Sequence, residues 1–215
     1  MLRTHRGTRA DRLAGFCAHR GGSLALAAGI AVTDHVVHQQ QLSFVPRALM
    51  DEPCHLATAM IVLGTLTRWR GRPPGRWFVW AMLSASVLID LDHLPEQFGS
   101  DILTAGTPRP YTHALWVTAV LAMVAIAAHR RYRASGSAGA GIVAGVAAGA
   151  TWGVGAHFLR DVATAPIALW WPASSVGVQV PNWWYLAVLL VLATRPARVA
   201  PQSGHSATFW IELMF

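Results

Sequence analysis

GAGIVAGVAAGATWGVGAHFLRDVAT, residues 139–164, is the stretch that decides the fold. Its first eighteen positions carry no ionisable side chain, and then His157, Arg160 and Asp161 arrive together. An apolar run of that length reads as a membrane-spanning helix. Gly141, Gly145, Gly149 and Gly153 recur at every fourth position, forming a ridge of small residues along which a neighbouring helix can pack closely. The ridge leads to His157 and Asp161, which lie four residues apart and project from one face about 40° apart. A polar pair placed there sits inside a bundle and needs a partner, because buried ionisable groups are costly unless they pair or bind an ion.

The rest of the chain agrees with a membrane setting. Of 215 residues, 53% are hydrophobic and 13% charged, and the mean hydropathy is +0.38. That is too apolar for an ordinary soluble domain. Apolar runs predict about six spanning helices: Gly22 to Val37, His55 to Thr67, Trp77 to Leu91, His113 to Ala128, Gly139 to Thr164 and Trp183 to Thr194. Tryptophans gather at the ends of these runs, as interfacial belts do. The expected architecture is an all-α, polytopic helical bundle over 22–198, preceded by a basic segment (1–21) and followed by a tail (199–215). The run Leu24 to Ala31 also has the form of a signal peptide, but an uncleaved first span is the preferred reading.

The formal charge is +7, and every basic residue is arginine. These arginines are segregated by loop. All but Arg47, Arg109 and Arg160 fall on one side of the predicted spans, and the positive-inside rule makes that side cytoplasmic, with both termini inside. This distribution gives no reason to expect a nucleic-acid partner; the expected partners are the bilayer and a small-molecule or lipid substrate. Cys17 and Cys54 then lie on opposite sides, which argues against a disulfide. No CxxC, GxGxxG, P-loop or GxSxG motif is present.

Four short motifs, CHLAT around His55, DLDH at Asp90 to His93, YTHALW around His113 and HFLRD from His157 to Asp161, face one compartment although they come from separate spans. Asp90 and His93 share a helical face, while Asp92 points elsewhere and suits a second ion, a histidine-orienting role or a general base. The metal-ligand set is His55, Asp90, His93, His113, His157 and Asp161, with Asp34 and His38 as an auxiliary pair. His/Asp coordination suits zinc, with manganese or iron as competitors. Such an ion makes hydroxide available at neutral pH, so hydrolysis is the natural chemistry. Asp92 and Arg109 are the candidate catalytic residues, and Arg109 or Arg160 suits an anionic phosphoester or carboxylate.

In order, His55, then Asp90-x-Asp92-His93, then Thr112-His113, then His157-x-x-x-Asp161-x-x-Thr164 resemble the bacterial membrane-bound metal-dependent hydrolases, also described as LexA-binding, inner-membrane-associated hydrolases. The resemblance covers roughly 51–172. It implies a bacterial inner-membrane location; the arginine count puts the site on the extracytoplasmic face. The resemblance also implies distant similarity to zinc-dependent phospholipase C, hence a phosphoester or phospholipid-like substrate. The chain departs from that pattern at Pro108, where a histidine is expected, and at Ala114, where serine is usual; a glycine usual after the final threonine is also absent. Two other functions compete with a hydrolase: a metal-binding transporter or sensor, and an inactive scaffold that keeps the bundle.

Overall fold

The computed structural model describes residues 8–40, 42–104 and 106–197; the tail from 199 onward lies outside them. Among the described residues the chain is helical, with no strand beyond one isolated bridge between Ile167 and Val178. Helix α1 is Arg9–Ala18, α2 Arg20–Gln39, α3 Phe44–Arg70 and α4 Arg76–Leu88. A tight 3-10 turn, Ile89–His93, continues α4 into the one-turn α5, Leu94–Gln97. After a second 3-10 turn, Tyr111–His113, come α6 (Leu115–Ser135), α7 (Ala138–Thr164) and α8 (Asn182–Thr194).

Local chemistry sets several of these limits. Thr8 and Asp11 form a reciprocal capping box at the start of α1. Gly71 and Gly136 adopt left-handed backbone, with φ of 69° and 64°, and stop α3 and α6. The segments Arg76–Gln97 and Ala138–Thr164 are long and apolar enough to cross a membrane, and Asn182–Thr194 is a shorter apolar helix. Each of the six expected runs overlaps a helix, but only those from Trp77 and Gly139 lie in segments long and apolar enough to span, and the limits differ. Helix α3 begins well before His55, carrying Asp51, Glu52 and Pro53 within it, and His113 lies just ahead of α6 rather than in it. The basic N-terminal segment is also more than a loop, since Ala10, Ala14 and Cys17 of α1 are buried in the core. Burial pushes the Cys17 thiol up to about 11, so it packs as a neutral group.

Helices α4 and α6 pack along α7, and α1 and α2 pack on α3. The glycine ridge sets the α4–α7 contact. A Cβ on Gly149 would lie 2.3 Å from the Phe78 carbonyl oxygen, and one on Gly153 would lie 2.2 Å from that of Met82. Only glycine permits this approach. It brings the 3-10 turn after α4 against the last turns of α7.

At the other end of the bundle, the buried Arg68 of α3 ties three helices together. Its guanidinium donates to the Cys17 and Ala18 carbonyls at the end of α1, to Ser23 Oγ of α2, and to the Leu192 and Arg195 carbonyls at the end of α8. A cation satisfying terminal carbonyls is well placed against two helix dipoles.

Candidate metal centre

His157 and Asp161 project from the last turns of α7, both fully buried. His157 Nδ1 donates to the Ser86 carbonyl of α4 at 2.9 Å, which leaves the Nε2 lone pair pointing into the site. His113 is buried and held from the opposite side. Its Nδ1 lies 3.2 Å from Asp92 Oδ2, and the same carboxylate oxygen accepts from the Thr112 hydroxyl. That Nδ1 contact is an ion-pair distance and not a hydrogen bond, whereas Nε2 is within hydrogen-bond distance of Asp90 Oδ1. The 3-10 turn brings Asp90 to the same place.

The resulting distances are short and uniform. His113 Nε2 lies 3.1 Å from His157 Nε2, 3.1 Å from Asp90 Oδ1 and 3.4 Å from Asp161 Oδ2. His157 Nε2 lies 3.4 Å from Asp90 Oδ1 and 3.2 Å from Asp161 Oδ2. Two imidazole nitrogens and two carboxylate oxygens thus converge. Neither Asp161 oxygen receives a hydrogen bond. Ligands about 2.0–2.1 Å from a tetrahedral ion lie about 3.3 Å from one another, which matches this set. The donors fit a divalent cation.

His93 lies at the rim. Its Nε2 is 3.6 Å from Asp90 Oδ1 and 3.4 Å from Arg109 Nη1. Asp90, Asp92, His93 and His113 form a second possible ligand group that shares Asp90 and His113 with the first. Arg109 Nη1 lies 3.4 Å from Asp161 Oδ2, at the edge of the convergent donors. His55, fully buried in α3, stacks on the His157 ring with centroids 3.9 Å apart.

The auxiliary pair has a different setting. Asp34 accepts from Arg160 Nη2 at 2.9 Å and from Asn182 at 3.4 Å. Arg160 Nε also donates to Asp51 Oδ1 at 2.7 Å. Arg160 therefore clamps α2, α3 and α7 beside the site, while His38 lines an adjoining cavity of about 420 Å³ with Arg47, Asp51 and Arg109. A second cavity, of about 490 Å³, is lined by Asp90, His93, Arg47 and Arg109 together with Val87, Leu88, Leu91 and Leu94. The expected metal ligands come together around one core, and Asp92 sits behind His113.

Asp51, Glu52 and Ser86 were not among the candidates. Asp51 had a readable signal, since it stands four residues before His55, the spacing that singled out His157 and Asp161. Glu52 lines the second cavity, and one of its carboxylate oxygens is buried without a hydrogen-bond partner. Ser86 acts through its backbone carbonyl, for which the side-chain sequence carries no signal.

Loops 98–114 and 165–181 brace His113. Leu115 N donates to the Leu169 carbonyl at 2.9 Å, and Tyr111 stacks on Trp171 with centroids 4.4 Å apart. No curated protein and no solved structure matches the chain. Residues 50–215 match the sequence model of the YdjM inner membrane protein family, a span that includes every metal-binding candidate except the auxiliary Asp34 and His38. The chain belongs to the YdjM inner membrane protein family.

Proposed function

We propose that the chain is an integral-membrane, metal-dependent hydrolase acting on a phosphoester, with a phospholipid-like molecule as the preferred substrate class. The observation that carries this reading is the convergence of two imidazole Nε2 atoms, of His113 and His157, with carboxylate oxygens of Asp90 and Asp161. Zinc is the preferred ion, with manganese and iron next. A divalent cation bound there supplies Lewis acidity and brings the ionisation of water into the neutral range.

The chain's own residues do the remaining work. The Ser86 carbonyl holds His157 in the tautomer that presents Nε2, and Asp92, 3.2 Å from His113 Nδ1, is placed to orient the second imidazole once an ion is bound. Arg109 is placed to bind an anionic group beside Asp161, and Arg47 adds positive charge to both adjoining cavities. The apolar side chains that line the second cavity suit an acyl or similar chain. In this reading the bundle has about six spans, with both termini cytoplasmic and the His/Asp end extracytoplasmic. That placement rests on arginine segregation.

The test is elemental analysis of the detergent-purified chain beside a His157→Ala/Asp161→Ala variant, followed by phosphodiester, phosphomonoester and phospholipid assays. The expected result is bound metal and phosphoester hydrolysis in the native chain, both lost in the variant. Absence of metal from the native chain would sink the reading. Metal without hydrolysis of any of the three classes would remove the enzymatic assignment and favour a transporter or scaffold.

A further inference from the structure

His55 is the one buried histidine of the cluster that the four-ligand centre does not use. It is fully buried, and neither ring nitrogen has a hydrogen-bond partner. Three carboxylates surround its Nε2: Asp51 Oδ2 at 3.6 Å, Asp161 Oδ1 at 3.6 Å and Asp90 Oδ2 at 3.8 Å. In the four-ligand centre, Asp90 uses Oδ1 and Asp161 uses Oδ2. Each of these carboxylates therefore turns its second oxygen toward His55. Arg160 occupies Asp51 Oδ1 and leaves Oδ2 facing the imidazole.

The ring stacking supplies a measure of spacing. His55 and His157 lie nearly parallel, 14° apart in plane, with centroids separated by 3.9 Å. Two ions held side by side by such rings would have about the separation of paired catalytic metals, which is roughly 3.5–4 Å. Resting on the metal-dependent reading above, we infer that the centre binds a pair of divalent cations, the second held by His55 and Asp51 and bridged to the first by the carboxylates of Asp90 and Asp161. Asp51 and Asp90 are partly exposed, so the second position is open to the adjoining cavities.

The full chain in detergent, stripped with a chelator and reloaded with Mn2+ alone, tests this by metal content and electron paramagnetic resonance. The expected result is two Mn2+ per chain with a spin-coupled spectrum. His55→Ala and the milder His55→Gln, checked for native helix content, should each retain one ion with an isolated-ion spectrum. A native chain holding one uncoupled ion, lost in His157→Ala, would overturn the pair and leave the proposed function standing. A native chain holding no ion would overturn both. Two coupled ions persisting in both His55 variants would refute the assignment of the second ion to His55.

Discussion

A partner on the second nitrogen fixes which lone pair an imidazole presents, and the two histidines of the four-ligand centre meet different groups there. His157 Nδ1 donates to a main-chain carbonyl, which side-chain substitution does not remove, whereas the group beside His113 Nδ1 is the Asp92 carboxylate, at 3.2 Å. Asp92→Asn should therefore weaken metal binding roughly 10–100-fold, as loss of such a partner typically does. Competition with a chromophoric chelator measures the change, and an unchanged affinity would show that Asp92 does not orient His113. At this scale the sequence was most legible where a polar pair stood alone in an apolar helix, as at His157 and Asp161. It was least legible at Asp34. Its i,i+4 spacing to His38 resembled a ligand pair, but its carboxylate is taken by Arg160 and Asn182, which are remote in sequence.

Among elements, the α4–α7 contact matters most, because it carries Asp90 to His157 and Asp161. Gly153→Val places carbon against the Met82 carbonyl and should cost about 1–3 kcal/mol through overpacking, together with loss of bound metal. Gly155 is the control. A Cβ there meets nothing within 4 Å, so Gly155→Ala should keep the metal and gain up to about 1 kcal/mol from helix propensity. Thermal melts paired with metal content read both outcomes, and equal behaviour of the two variants would refute the ridge argument. The ridge could be read from its four-residue period. The start of α3 could not, because Asp51, Glu52 and Pro53 resemble a loop to any hydropathy reading; two of those side chains reach the cavities instead of bulk water.

Across the whole molecule, alternating helix directions put the His/Asp motifs at one end and most of the described arginines at the other. That separation was visible in the order of the residues. Arg68 gives it a physical consequence. It lies thirteen residues beyond His55 on the same helix, about 20 Å along the axis at 1.5 Å per residue, and its donors occupy the carbonyls that terminate α1 and α8. Among the described residues, a guanidinium thus plugs the helix ends at one end of the bundle, and the cavities that adjoin the metal ligands lie at the other. Ions should exchange through one face. In sealed vesicles of uniform orientation, a membrane-impermeant chelator should strip the metal from the cavity side within a time in which it strips none from the Arg68 side. Equal stripping from both sides would mean that the plug leaks.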